Sequence, residues 1–444
     1  MKKFFLILSI LFVSYTSVNA QSINVTVHQN GTTREETIGL PQSMTYDVDS
    51  LLNEWHSKNS LSLSNDCLTK DENPTFPDSV YIDRLSRIPA VMELTYNDVV
   101  RKFIEMYSGK LRKQVSYMLG ASNFYMPIFE EALDAYNIPQ ELKYLPIIES
   151  ALNPKAVSPV GAAGLWQFMI GTGKLYGLET NSIIDERRDP IKASWAAARY
   201  LKDLYTIYKD WNLVIAAYNC GAGNINKAIR RANGARDYWA IYNYLPQETR
   251  GYVPAFIAAN YVMTYYCDHN ICPMEADIDQ NTDTVVVSKQ LHFEQIADIC
   301  GVNIDQIRSL NPQYKIDVIP GNAEACTLRL PRNYINTFID RQDTIYAYRA
   351  EELFSNRPTV SPTEEVAEEK PVVQKHSRHS KKARITSHKV KSGQTLSDIA
   401  DKYGVTVKQL KKWNGLKGTN IRAGKKLKIR KKKTYSSLVK LLVS

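Results

Sequence analysis

The sequence predicts an α+β multidomain protein, with a mainly α domain over residues 80–270 followed by two small βααβ modules. Three observations predict it. Apolar residues recur at helical spacing from Val80 to Tyr266. Shifting the chain by 103 residues lays Val287, Ile296, Ala297, Asp298, Gly301, Val302, Gln306 and Asn311 onto identical residues at Val390, Ile399, Ala400, Asp401, Gly404, Val405, Gln409 and Asn414. Between the two copies, residues 351–386 are rich in Pro, Glu, Ser and Lys and lack any periodicity. That composition buries too little to fold, so the stretch reads as a disordered tether.

The chain opens on Lys2 and Lys3, an apolar run from Phe4 to Val13 and a small-residue exit at Val18-Asn19-Ala20. Residues 1–20 therefore read as a secretory signal peptide, too short to span a bilayer stably. No cysteine follows Ala20 directly, so no lipid anchor is expected there, and the mature chain is expected to be exported, either soluble or attached through its surfaces. Residues 21–79 are polar, with turn formers at Asn73-Pro74 and Phe76-Pro77, and read as an irregular lead-in.

Within the helical domain, Val80, Leu85 and Ile88 stop at Pro89, and Val99, Val100, Phe103, Ile104 and Tyr107 form the next apolar stripe. Phe129, Leu133 and Tyr136 continue to Pro139. Asp189-Pro190 is a helix start, with a capping carboxylate before a proline whose missing N–H costs nothing in the first turn. A helix from Trp211 to Tyr218 runs into Asn219-Cys220-Gly221, where glycine permits positive φ and ends it. A last helical run spans Tyr252 to Tyr266.

Each repeat copy reads as a strand, two short helices split by a glycine, and a closing strand, over residues 283–331 and 387–430. The first copy is longer before its last strand and is the divergent one. Both Cys300 and Cys326 fall within it, and a disulfide between them is the expected staple in an exported protein. Cys267 and Cys272 flank one histidine without a second cysteine pair, which suits a local disulfide or two thiols better than a four-ligand zinc site.

The net charge of +10 is uneven. Residues 375–444 hold 21 Lys and Arg against Asp398 and Asp401, a net of +19, which leaves −9 on the rest. For an exported chain the partner of such a segment is an anionic wall polymer or lipid surface rather than nucleic acid. The tail at 431–444 is basic and then apolar, suited to peripheral contact with such a surface and too short to cross it.

The chemistry centres on Glu149. Leu145, Ile147, Ile148, Ala151 and Leu152 surround it in sequence, so a short helix holds its carboxyl in a poorly solvated place. Desolvation raises a carboxyl pKa, and a glutamate protonated near neutral pH can protonate a leaving oxygen. No histidine occurs between His56 and His269, which removes a Ser–His or Cys–His pair from the helical domain. Glycosidases usually pair two carboxylates, and composition names no second one here. No metal and no cofactor enter this reading.

Glu149-Ser150, Ala156-Val157-Ser158, the run Gly161 to Met169, Ala217-Tyr218-Asn219 and Glu248 to Pro254 closely resemble the soluble lytic transglycosylase domain. Ile88-Pro89 and Glu141 to Pro146 are similar to its membrane-bound lytic murein transglycosylase D branch, and the two repeats resemble LysM modules. The resemblance implies a lysozyme-like helical fold that cleaves the bond between N-acetylmuramic acid and N-acetylglucosamine without water. Glu149 would act first as acid, then as base on the muramic 6-hydroxyl, leaving a 1,6-anhydro end. Ser158 and Gln167 would contact the sugar near the cleaved bond, and Tyr218, Asn219 and Tyr252 would line the groove. Gly161 and Gly164 would let backbone approach the glycan. Trp166 reads as a core side chain. Gly393, Thr395, Leu396, Asn420 and Ile421 lie in the two loops where LysM modules hold N-acetylglucosamine. The rivals are a hydrolytic muramidase of the same fold, which needs a second carboxylate across the groove, and a non-catalytic peptidoglycan-binding scaffold.

Overall fold

A computed structural model describes residues 21–29, 32–47, 50–51, 73–274, 281–354 and parts of 385–430. The signal segment, most of the tether, Gly393, Asn420, Ile421 and the tail from 431 lie outside the described residues. The chain divides into two compact units, the second beginning at Glu369.

The lead-in is structured over much of its first part, which corrects the reading of it as irregular. Strand β1 (Ser22–Gln29) pairs antiparallel with β2 (Thr32–Gly39), with Val25 opposite Glu36 and Ser22 opposite Gly39. The alternation of Ile23, Val25 and Val27 turns one face of the hairpin onto the helical core, where Val25 and Ile38 are buried. Burial against a partner orders a segment whose own composition looks polar. A turn at Gln42–Thr45 follows, and the Ser43 hydroxyl donates to the carbonyl of Ile148 at 2.7 Å.

Helix α1 (Asp78–Arg87) leads to α2 (Asp98–Ser108), which Asn97 caps by accepting from the N–H groups of Val99 and Val100. Helix α3 (Arg112–Ala135) carries Pro127 within it, and the short α4 (Leu145–Ser150) holds Glu149. After α5 (Ile170–Leu175), α6 (Pro190–Tyr208) begins as its sequence requires, with Asp189 accepting from Ile191 and Lys192 N–H and Pro190 in the first turn. Helix α7 (Trp211–Cys220), capped by Asp210, ends at Gly221, whose φ of +80° opens α8 (Ala222–Arg231). Next come α9 (Tyr238–Ile241) and α10 (Gln247–Tyr265). Helix α10 starts five residues before Tyr252, so Glu248 lies in its first turn.

From Gly251 to Met263 every residue of α10 is buried, so it is the central helix, covered on all sides. It packs along α2, while α3 packs along α6. Phe103, Phe129, Tyr125, Trp166 and Phe256 fill the space between them. Each such side chain contributes roughly 1.5–3 kcal/mol by leaving water.

The first repeat copy comprises β3 (Thr282–Val287), β4 (Gln290–His292), α11 (Phe293–Cys300), α12 (Ile304–Leu310), β5 (Val318–Pro320) and β6 (Cys326–Pro331). Strand β3 pairs with β6 and β4 with β5, both antiparallel. Gly301 separates the helices at a φ of +75°. The chain continues through α13 (Arg332–Asp340), α14 (Gln342–Ala347) and α15 (Ala350–Leu353). This copy is docked on the helical domain. Asp185 N–H donates to Gln313 O and Lys315 N–H to Ile183 O, both at 2.8 Å, so that Ile183 and Ile184 join the module's core.

In the second unit, β7 (Ile385–Lys389) pairs with β8 (Lys426–Arg430), and α16 (Val407–Asn414) packs on them. The identity at Asn311 and Asn414 has a physical reason. Each donates from Nδ2 to a carbonyl one turn back, Ile307 or Leu410, and to the closing strand at Arg329 or Lys428, and accepts that strand residue's N–H.

The cysteine expectations are corrected. Cys300 and Cys326 are free thiols, as are Cys220 and Cys267, while Cys272 is disulfide-bonded. No staple joins α11 to β6, which the ladder with β3 holds in the module.

Candidate active site

Helix α4 is six residues long and nearly all apolar, so Leu145, Ile147 and Ile148 sink into the core and Glu149 is left at the wall of a cleft. The chain leaves this helix through Ala151 (φ +51°) and Leu152 (φ +60°), both buried and both left-handed, a conformation that costs a non-glycine residue energy. The turn is held from outside. Ser150 Oγ bonds Leu165 O at 3.0 Å, tying the acidic helix to the glycine-rich loop.

That loop is fixed by a buried ion pair. Arg187 grips Asp185 through Nε (2.9 Å) and Nη2 (2.8 Å), and its Nη1 donates to Gly161 O (2.7 Å) and Phe168 O (2.9 Å). Both side chains are about 95% buried, so the guanidinium is a rigid brace with its hydrogen bonds satisfied inside the protein.

The cleft has a volume of about 190 Å³. Of the residues expected at the site, Glu149, Ser158, Gln167, Tyr218, Asn219 and Tyr252 all line it. Ser158 Oγ accepts from Ala162 N–H at 3.0 Å, so it holds the loop's turn as well as facing the cleft. Gln167 donates from Nε2 to Gly164 O (2.8 Å) and Ala156 O (3.2 Å), which leaves its carbonyl oxygen for the cleft. Asn219 Oδ1 accepts from Thr249 Oγ1 at 2.9 Å, and Tyr218 donates to Trp166 O at 2.8 Å. Trp166 itself is fully buried with its indole N–H on Ser194 Oγ, and is core.

Gly164 has a φ of +83°, and a Cβ there would lie 1.7 Å from Arg187 O, so packing against the brace demands glycine. Gly161 keeps open space around it. In the second unit, Leu396 is 2% exposed within the module's core among Val390, Ile399 and Leu427, so its side chain is not at a binding surface. The N–H of Ile399 donates to Thr395 O at 3.3 Å, placing Thr395 at the start of a helical turn.

The electrostatics follow from burial. Glu149 is pushed up to about 8, because burial penalises its charged form and Glu248 adds repulsion, against a hydrogen bond from Tyr252 that works the other way. The Tyr252 phenol donates to Glu149 Oε1 and is itself held well above its usual range, first by burial and then by that carboxylate. Near neutral pH the Glu149 carboxyl therefore carries its proton. Among the described residues no group of His, Cys, Asp or Glu has metal-ligand geometry.

Sequence reasoning missed four contributors. Pro41 and Gln42 of the lead-in form part of the wall, as do Tyr200 and Glu248. Glu248 is a second carboxyl in the cleft, raised above its ordinary value by burial. The signal for the hairpin was present in Ile23, Val25 and Val27 followed by Asn30-Gly31, a dipeptide that favours tight hairpin turns.

The transglycosylase SLT domain model matches residues 126–241, the LysM-like domain of lytic transglycosylase MltD matches 281–347, and the LysM domain matches 388–430. Membrane-bound lytic murein transglycosylase D of Escherichia coli (strain K12) is 30% identical over 297 residues, 66% of this chain and 60% of that protein. The chain thus spans about 60% of that relative's length. The soluble lytic murein transglycosylase of the same organism is 32% identical over 151 residues, covering 32% of this chain and 23% of that one. The crystal structure of the 70 kDa soluble lytic transglycosylase SLT70 from Escherichia coli covers 32% of this chain and 24% of its own, at 32% identity and a TM-score of 0.29. Tyr252, Glu248 and the hairpin lie outside the residues matched by the SLT model. The chain carries a transglycosylase SLT domain followed by two LysM-type domains, and it resembles the membrane-bound lytic murein transglycosylase D type.

Proposed function

We propose that this protein is a peptidoglycan lytic transglycosylase whose single acid–base group is Glu149. The observation that carries the proposal is a half-buried carboxyl held by the Tyr252 phenol at the wall of a cleft, where burial raises its pKa to about 8. Glu149 gives its proton to the glycosidic oxygen as the bond to the muramic C1 breaks, and the substrate's acetamido group supports the carbon left behind. The resulting carboxylate takes the proton of the muramic 6-hydroxyl as that oxygen closes on C1. Glu149 ends protonated, no water is consumed, and the product is a 1,6-anhydro sugar. A carboxyl with a pKa near 8 suits both halves, since it holds a proton at neutral pH and is a competent base once it has lost it.

Ser158, Gln167 and Asn219 then orient the sugar on either side of the bond. The chain works outside the cytoplasm, and the second LysM-type module, itself basic and held on a tether, raises the enzyme's concentration at the polymer. The cationic segment favours an anionic wall or membrane surface.

Glu248 supports a second reading, hydrolysis, in which it activates water across the cleft from Glu149. Mass spectrometry of purified peptidoglycan digested by the chain decides. Products lighter than hydrolytic ones by one water, absent with Glu149→Gln, establish transglycosylation. Products that retain the added water, lost with Glu248→Gln, establish hydrolysis. Polymer bound but uncut by the wild-type chain overturns both.

A further inference from the structure

A second cavity lies at the seam where the first LysM-like module docks on the helical domain. Its volume is about 340 Å³, against about 190 Å³ for the catalytic cleft. Glu179, Glu186 and Asp189 line it from the helical domain, and Gln313 and Glu324 from the module. Ligand cavities favour such junctions.

Much of this wall has internal work. Glu186 accepts from Glu179 N–H at 2.8 Å and pairs with Lys192, Asp189 caps α6, and Glu179 Oε1 accepts from Asn181 at 2.6 Å. Even so, four carboxylates face one lysine across the cavity. The independent sign of a missing ligand is Gln313. This side chain is only 7% exposed, lines the cavity, and its Oε1 is buried without a hydrogen-bond partner. Burying an acceptor without a partner is costly, so an unsatisfied one at a cavity wall points to a donor that arrives from outside the chain.

A smaller cavity of about 200 Å³ adjoins it, sharing Asp189, Lys192, Gln313 and Thr327 and adding Arg329. Arg329 Nη1 donates to Thr282 Oγ1 at 2.8 Å. The joined groove is therefore acidic at one end and carries a guanidinium at the other.

We propose that this groove binds a zwitterionic amino-acid group, its ammonium among Glu179, Glu324 and Gln313 Oε1 and its carboxylate toward Arg329. Resting on the functional reading above, the source of that group is the free end of a diamino acid in the peptide stems of peptidoglycan. The seam thereby recognises stems, separately from the cleft that handles the glycan.

The test is equilibrium titration of the full chain with a free stem tripeptide ending in meso-diaminopimelate, and with the same peptide acetylated on its side-chain amine. Saturable one-site binding is expected, weakened at least about tenfold by acetylation, by Gln313→Leu and by Glu324→Lys. Turnover of peptide-free glycan strands should be unchanged in both variants. Glu324 is exposed, so its replacement leaves the fold intact even if that of Gln313 does not. Equal binding of the two peptides, binding unaffected by Glu324→Lys, or no saturation at millimolar peptide overturns the proposal. Peptide binding by a chain that fails to cut glycan would instead sink the functional reading and leave this site standing.

Discussion

The Tyr252 phenol donates its hydrogen bond to Glu149 Oε1 from 103 residues away, linking the central helix to the short one that carries the acid. The bond opposes the effect of burial on Glu149. In Tyr252→Phe the carboxyl should therefore hold its proton to still higher pH. Turnover should fall roughly ten- to hundredfold, as expected for losing a hydrogen bond to a charged group, and the alkaline limb of the pH–rate profile should move upward. A profile that loses amplitude without shifting would mean the phenol serves the substrate alone.

Glu149 also links pH to stability. Its pKa is raised in the folded protein from 4.5 to about 8, so the folded state binds the proton more tightly. The contribution to stability is full below pH 4.5 and is lost as pH rises through 8, a change of about 3–5 kcal/mol. Glu149→Gln should be inactive, match the wild type near pH 4.5, and exceed its stability by about that amount at pH 8.5. Chemical denaturation at the two pH values checks this, and a difference independent of pH would refute the burial argument.

Arg187 braces the site loop through Gly161 and Phe168 while paired with Asp185. Removing it alone strands a buried carboxylate, so Arg187→Met should cost about 3–5 kcal/mol. Adding Asp185→Leu should recover part of that stability without restoring activity, since the loop carbonyls stay unbraced. A double-mutant cycle on unfolding free energy, run beside glycan turnover, separates the two effects.

The hairpin and α10 meet glycine to glycine. A Cβ at Gly251 would lie 2.3 Å from Gly39 O, and one at Gly39 would lie 2.8 Å from Glu248 Cα. Gly251→Ala should push the hairpin away at a cost of about 1–3 kcal/mol, and should lower kcat/KM by displacing Pro41 and Gln42 from the cleft wall. Gly223→Ala, with nothing within 4 Å of its Cβ, is the control. Equal effects of the two substitutions would contradict this packing.

The helical domain was legible because its signals are local. Asp189-Pro190 announces α6 and Gly221 ends α7 with no information from elsewhere in the chain. The acid was legible too, since the apolar residues beside Glu149 anchor the short helix in the core and leave Glu149 at the cleft wall. Contributors that depend on distant packing were not. Glu248 looks like an ordinary first-turn acid until the hairpin covers it, and the packing demand at Gly164 is invisible until Arg187 O is placed behind it. The Cys300–Cys326 staple failed for the same reason, because closeness along a short module does not bring two sulfurs into bonding geometry.

The seam between Asp185 and Gln313 and between Ile183 and Lys315 is made of backbone hydrogen bonds, whose protons water can replace only when the bonds open. The amides of Asp185 and Lys315 are thus internal clocks for the undocking of residues 281–354. If docking makes one cooperative unit, these two amides share one opening free energy once their intrinsic exchange rates are divided out, and that energy measures how rarely the module lets go.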